Sequence, residues 1–203
     1  MRIGILGSGT VGTALGDLFV QAGHEVRFGV REPASKSPGR EWCDLVEAAA
    51  FGEICVLAVP FPVVDSVLRS LDVVDLSGKI LVDVTNPVSW KDGPVVAETP
   101  APSGAETIQI LTPAHVVKAF NTFGSEYHTS ATIGGVPVDV PIASNDADAR
   151  AKVAELASSA GYRPLDCGLL HNARLLEHMA VLWIYLATKG GQGRNIAWKL
   201  ISE

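Results

Sequence analysis

The sequence predicts an α/β fold, a doubly wound parallel sheet with a short C-terminal helical extension. Three observations predict it. Short, continuous apolar runs alternate with helical stretches through the N-terminal half, as in a parallel sheet covered by helices on both faces. A glycine-rich turn joins the first of those runs to the first helix. The 203 residues, 47% hydrophobic and 19% charged, suffice for one sizeable core and are short for two.

Each element has its own warrant. Arg2 to Leu6 reads as a first strand. Thr10 to Ala22 reads as a helix with Leu15, Leu18 and Phe19 on its apolar side, closed by Gly23. Val26 to Val30 is the second strand. The polar stretch from Glu32 to Trp42, with two prolines and Gly39, stands where such folds commonly place a helix and a third strand, so that part is expected to be abbreviated. Ile54 to Val59 and Lys79 to Val84 are unbroken apolar runs of the kind found in central strands, with a helix over Pro62 to Leu71 between them. Val88 to Pro102 reads as a proline-rich loop. Ser103 and Glu106 form a capping-box pattern opening a short helix that Pro113 ends. Val116 to Asn121 and Val140 to Ser144 are further strands. Ala147 to Ala160 is an amphipathic helix that begins at Asn145 or Asp146 and stops at Gly161. Tyr162 to Cys167 is extended, and Asn172 to Thr188 is the last helix. With no repeat and no linker, one domain over 1–203 is expected, with 169–203 as its C-terminal helical extension.

Composition excludes several function classes. A net charge of −6 argues against a nucleic-acid surface. No apolar run approaches the roughly 20 residues that cross a bilayer. The chain opens directly on a strand-like run, which leaves no signal peptide to be expected. Cys43, Cys55 and Cys167 lack metal or disulfide spacing and read as reduced residues of a cytoplasmic protein.

The strongest chemical signal is Gly7-Ser8-Gly9-Thr10-Val11-Gly12, placed between a buried strand and an apolar-faced helix. In that setting Gly7 permits a tight turn, Gly9 lets a pyrophosphate approach the backbone, and Gly12 lets helix and strand pack closely. The free N–H groups at the helix N-terminus complete an anion site. The fold is therefore Rossmann-type. NAD-preferring sites usually end the second strand in Asp or Glu, which holds the ribose hydroxyls. Here Val30 stands there, followed by Arg31, with Lys36 and Arg40 nearby; a guanidinium can grip a 2′-phosphate bidentately. These residues favour NADP, although Glu32 argues the other way, and Arg31 and Lys36 also fit as ordinary solvated charges.

Together with Gly29 to Arg31, Ala58-Val59-Pro60, Lys79 to Pro87, Val117 to Thr122, Tyr162 to Gly168 and the helix carrying Arg174, Leu175 and Glu177, this loop resembles the NADP-dependent oxidoreductases of the deazaflavin coenzyme F420. It also resembles the nucleotide-binding domain of six-transmembrane epithelial metalloreductases. The resemblance covers nearly the whole chain. It implies that Thr10 and Val11 meet the pyrophosphate, Arg31 meets the 2′-phosphate, and Val59 and Pro60 flank the nicotinamide. It further implies that Asn86, Pro87, Ala119, Phe120 and Asn121 border the second redox partner, F420 or a flavin, and that His171 lies near the substrate cleft. Two departures stand out. Val30 replaces a small hydroxyl residue frequent in the family, and Phe120-Asn121-Thr122 looks more like the metalloreductase branch.

Other residues admit two readings each. The Asn86-Pro87 step ends a buried strand either as a ligand edge or as a helix-avoiding turn. Lys118, inside an apolar strand pattern, is a positioned cation or a snorkelling surface residue. His171 also fits as an ordinary residue at a helix start. Arg174 and Glu177, three apart on a helix, fit as a mutual pair. His115, His128, His171 and His178 have no metal-ligand spacing. Leu182 to Leu186 are apolar all round the helix, which fits a homodimer or a ligand wall built from Trp183 and Tyr185.

The leading expectation is hydride transfer between NADP(H) and a flavin-like or deazaflavin partner, with no single catalytic side chain, because the cofactors carry the chemistry. The competing readings are an NADP-dependent reductase of a small imine, ketone or hydroxy acid, and a non-catalytic NADP(H)-sensing module.

Overall fold

The computed structural model describes residues 1–33 and 39–202. In chain order its elements are β1 (Arg2–Leu6), α1 (Thr10–Gln21), β2 (Glu25–Gly29), β3 (Trp42–Cys43), α2 (Leu45–Phe51), β4 (Ile54–Leu57), α3 (Val64–Ser70), β5 (Ile80–Asp83), β6 (Val88–Trp90), β7 (Pro94–Val96), α4 (Gly104–Leu111), β8 (His115–Lys118), β9 (Thr132–Ile133), β10 (Val136–Pro137), β11 (Asp139–Ile142), α5 (Ala147–Ser159), β12 (Arg163–Asp166) and α6 (Ala173–Thr188). Six strands form one parallel sheet in the order β3-β2-β1-β4-β5-β8, the doubly wound arrangement the sequence predicts.

Alternation along the buried strands sends side chains to two apolar layers. Ile3, Ile5, Ile54, Val56 and Val117 meet Leu15 and Phe19 of α1 and Val153 and Leu156 of α5. Leu6, Cys55, Leu57, Leu81 and Val116 meet Ala48 of α2, Leu68 of α3 and Ile108 of α4. The strand order reverses between β1 and β4, so their C-terminal ends open the crevice in which such sheets bind ligands.

The third strand is present but only two residues long. Three segments depart from the sequence reading. Leu45–Phe51 is a helix, capped by Asp44, whose carboxylate accepts from Glu47 N–H at 2.8 Å. Val88–Val96 holds an antiparallel hairpin rather than an irregular loop, turning over Lys91-Asp92-Gly93. And β8 stops at Lys118, because Phe120 adopts φ +59° and bends the chain off the sheet.

The last third of the chain doubles back on itself. Ala143 bridges Lys118 in antiparallel sense, and β11 pairs in parallel with β12. Ser144 Oγ donates to Val116 O and Leu170 N donates to Asn145 Oδ1, which pins residues 168–172 at the N-terminal end of β8. From there α6 rises toward the C-terminal edge, passing Lys118 at Glu177 and lying against Gly124 at Trp183. Among the described residues, no helix is long and apolar enough to cross a membrane.

Candidate functional site

At the crevice the three loop glycines have separate physical roles. Gly7 turns the chain at φ +124°, and a Cβ there would lie 2.4 Å from Ala58 O. A Cβ on Gly12 would meet Gly7 O at 2.8 Å and Ala58 Cβ at 3.0 Å, so close helix–strand packing requires glycine. Gly9 differs. Its φ of −72° suits any residue, and an added Cβ would meet nothing within 4 Å. Nothing inside the protein demands glycine at that position, so the open space matches the approach of a pyrophosphate. The first turn of α1 has no side-chain cap and no acidic residue, leaving its N–H groups and partial positive charge for an anion, at Thr10, Val11 and Gly12.

A cleft of about 310 Å³ runs beside this loop, lined by Gly7, Ser8, Gly9, Val30, Arg31, Val59 and Pro60 among others. Val30 is buried and Arg31 exposed, so at the end of β2 a guanidinium borders the cleft where a carboxylate would otherwise stand. Arg40 is not part of it: it forms two hydrogen bonds to Asp17 and stacks near Phe28 and Trp42. Lys36 lies outside the described residues. A larger hollow of about 610 Å³, lined by Asp17, His24, Arg27 and Arg40 among others, lies away from the glycine loop.

The ends of β5 and β8 adjoin in register, Asp83 opposite Lys118, which brings Asn86 and Asn121 together. Asn86 Nδ2 donates to Asn121 O at 3.0 Å, and Asn121 Nδ2 donates to Asn86 Oδ1 at 2.9 Å and to Leu176 O at 3.2 Å. Pro87 is buried against Gly104 at the start of α4. Ala119 is fully buried, and its N–H donates to Asp83 O at 3.2 Å. The Phe120 ring packs inward between Phe19 and Tyr162, at centroid distances of 6.0 and 5.5 Å, and is not offered to a partner. Its left-handed backbone costs about 1–2 kcal/mol. That packing holds the bend which turns Asn121 toward Asn86.

The placement of His171 corrects the expectation. It lies in the turn Leu170–Asn172, tied through Leu170 to Asn145 at the N-terminal end of β8, the edge opposite Asn121. Nor do Arg174 and Glu177 pair. Glu177 is 1% exposed and reaches Lys118 Nζ at 3.2 Å, while accepting from Gly104 N–H and Ala105 N–H at 3.1 and 3.2 Å.

Lys118 does not snorkel. It is completely buried and donates to Asp83 Oδ2 at 2.9 Å and Thr85 O at 2.5 Å. Asp83, also fully buried, accepts from Thr85 N–H at 2.8 Å. Sequence reading missed this triad of Asp83, Lys118 and Glu177. A lysine and an aspartate closing two adjacent apolar strands was its one local signal. Around it, Thr85 Oγ1, Asn121 Oδ1 and Thr122 Oγ1 are buried without a hydrogen-bond partner. Such atoms are uncommon and mark a place for water or ligand.

Behind the Asn121 turn, His128 is buried against Phe123 and bonds Tyr162 Oη, which itself donates to Tyr127 O. Burial pushes the His128 imidazole down to about 3, against a weaker opposing pull from Glu126. Among the described residues, no three or more His, Cys, Asp or Glu side chains could hold a metal ion.

The comparisons with known proteins agree with this geometry. The model of the family described as NADP oxidoreductase, coenzyme F420-dependent, matches residues 2–87. The F420-dependent NADP reductase of Methanothermobacter marburgensis is 32% identical over 93% of this chain and 93% of its own length. The metalloreductase STEAP3 of Rattus norvegicus is 34% identical over 87% of this chain, which spans only 36% of that protein. A solved structure from Arthrobacter sp. FB24, provisionally assigned as an F420-dependent NADP-reductase, superposes over all of both chains with a TM-score of 0.88 at 30% identity. By this identity and coverage, and by a parallel sheet that superposes over its whole length, the chain belongs to the coenzyme F420-dependent NADP oxidoreductases.

Proposed function

We propose that this protein transfers a hydride between NADP(H) and coenzyme F420 or a flavin-like acceptor. The observation that carries the reading is Gly9, open to the cleft and needed by no neighbour, beside an uncapped helix N-terminus and Arg31 at the end of β2. The α1 N-terminus holds the pyrophosphate, Arg31 holds the 2′-phosphate, and Val59 and Pro60 confine the nicotinamide side. When bound, NADPH supplies a hydride to an acceptor that also takes up one proton from solvent. The chain's own contribution is orientation and exclusion of water, with Asn86 and Asn121 fixing polar groups at the far wall.

Purified protein mixed with NADPH and, separately, F420, FMN, FAD or a ferric chelate tests the reading by absorbance at the NADPH band. Turnover is expected with F420 or a flavin. NADPH binding without turnover by any acceptor would leave only a binding module. The same reading takes the chain as one NADP-binding unit that works as a homodimer, through the exposed stripe Leu175, Leu182 and Tyr185 of α6. Light scattering is expected to give twice the 21.4 kDa chain mass.

A further inference from the structure

The Asp83–Lys118–Glu177 triad is an expensive device. Three charges are taken wholly out of water where apolar side chains of similar volume would serve stability as well or better. Its connections show what it orders. Lys118 Nζ donates to Asp83 Oδ2 and Thr85 O and forms an ion pair with Glu177. The Thr85 residue is thereby gripped twice, by its N–H at Asp83 Oδ1 and by its carbonyl at Lys118. Asn86 follows directly. On the other side, Glu177 anchors α6 to the first N–H groups of α4, and the adjoining Leu176 carbonyl accepts from Asn121. Strands β5 and β8 and helices α4 and α6 are thus closed into one circuit of hydrogen bonds and an ion pair. Its uncharged links are the Asn86–Asn121 pair and the bond from Asn121 to the Leu176 carbonyl, and Thr85 Oγ1, Asn121 Oδ1 and Thr122 Oγ1 around them lack partners.

We propose that Lys118 is a positioning residue for the redox site, holding the Asn86–Asn121 pair where the nicotinamide end of the dinucleotide is received, and making α6 a necessary wall of that site. The proposal rests on the function proposed above for its ligand. It does not place Lys118 in contact with that ligand. A displacement of about 1 Å at a hydride-transfer centre costs on the order of a hundredfold in rate, so fixing one turn is sufficient cause for a buried network of three costly charges.

Two variants separate positioning from mere support. Lys118→Met leaves two buried carboxylates facing each other and is expected to lower the melting temperature sharply. The triple variant Asp83→Asn, Lys118→Met, Glu177→Gln removes all three charges and is expected to melt close to the unaltered protein. If Lys118 positions the site, the restored triple variant still binds NADPH with affinity changed less than about threefold, since the phosphate contacts are remote. Its bound nicotinamide, however, shows a faster fluorescence anisotropy decay. With F420 as acceptor, kcat falls about a hundredfold and the isotope effect with NADPH deuterated at C4 rises. A triple variant with native melting, native nicotinamide anisotropy and kcat within about threefold overturns the proposal. Should the triple variant not fold, the double variant Asp83→Asn, Lys118→Met, which removes the pair that grips Thr85 and leaves Glu177 on the Gly104 and Ala105 N–H groups, gives the same two readouts. Its unchanged anisotropy decay would be equally fatal. If the unaltered protein immobilises the nicotinamide but reduces no acceptor, the functional reading fails while the anisotropy comparison still decides the role of Lys118.

Discussion

The crevice is built in two ways at its two ends. At the glycine loop, backbone does the work: a turn at Gly7, a close contact at Gly12, an uncapped helix start, and empty space at Gly9. At the Asn86–Asn121 end, side chains do it, through a charged circuit that joins residues 35 and 59 positions apart in the chain, from Asp83 to Lys118 and from Lys118 to Glu177. The first end needs only a local segment to be right. The second needs four elements to be assembled before any of its contacts exists. Perturbations should therefore divide: changes at Gly9, where an added Cβ would meet no neighbour, and at the exposed Arg31 should alter binding with little effect on stability, and changes at the circuit should alter stability first.

Lys118→Met tests that division with the largest effect. Removing one member of a buried ionic network leaves uncompensated charge and costs about 3–5 kcal/mol. Chemical denaturation at pH 7 measures it directly. A loss below about 1 kcal/mol would mean that the circuit is not what holds this end together.

Acid supplies the second test, because His128 lies behind the same turn. Its folded-state value is depressed to about 3, whereas in the unfolded chain it titrates near 6.5. The unfolded state therefore binds the extra proton between those values. The His128 contribution is complete above about pH 6.5 and is lost progressively as the pH falls toward 3, at about 2 kcal/mol by pH 5. Glu126, the acid facing it, opposes the shift only weakly. Replacing His128 with Phe keeps a ring against Phe123 and should shrink the stability difference between pH 7 and pH 5 by about that amount. If the difference persists, the acid sensitivity belongs to other groups.

How much of this was legible follows the same line. The loop was readable because its meaning lies in spacing along the chain, and β1, β4 and β5 because strands buried on both faces are unbroken apolar runs. The capping box at Ser103 and Glu106 held for the same local reason: Ser103 Oγ accepts from Glu106 N–H and donates to its carboxylate. Two misses had local signals. Asp44 and Glu47 announce α2 as a cap does, and Asp92-Gly93 between valine-bearing segments announces the β6–β7 hairpin. Lys118 and Glu177 had none of comparable strength. A lysine in an apolar strand reads equally as a positioned cation or a snorkelling residue until its partners are known, and Glu177 reads as the neighbour of Arg174 until α6 is seen against α4. His171 was misplaced for a related reason, since the direction of α6 depends on the antiparallel bridge between Lys118 and Ala143.

At the loop end, Arg31→Ala is expected to weaken NADPH by about 30-fold, roughly 2 kcal/mol for lost charge-assisted hydrogen bonds to a phosphate. NADH, which lacks that phosphate, should bind the variant and the unaltered protein alike. Isothermal titration with the two dinucleotides makes the comparison. An equal loss for both would assign Arg31 to the general fold of the β2 end rather than to the 2′-phosphate.

Gly9→Ala is the smallest change and the sharpest. The backbone at Gly9 is already extended, at φ −72° and ψ 174°, so alanine introduces no conformational strain there. Its methyl would meet no protein atom within 4 Å, so packing is undisturbed as well. The one internal cost is alanine's poorer performance as an N-cap, under about 1 kcal/mol. The methyl instead occupies the space through which a pyrophosphate reaches the helix N–H groups, so NADPH affinity should fall about tenfold, or roughly 1.4 kcal/mol. A variant that melts with the unaltered protein but binds NADPH weakly would show that this glycine serves the ligand alone, whereas unchanged affinity would move the pyrophosphate away from Gly9 and with it the axis along which the rest of the crevice has been read.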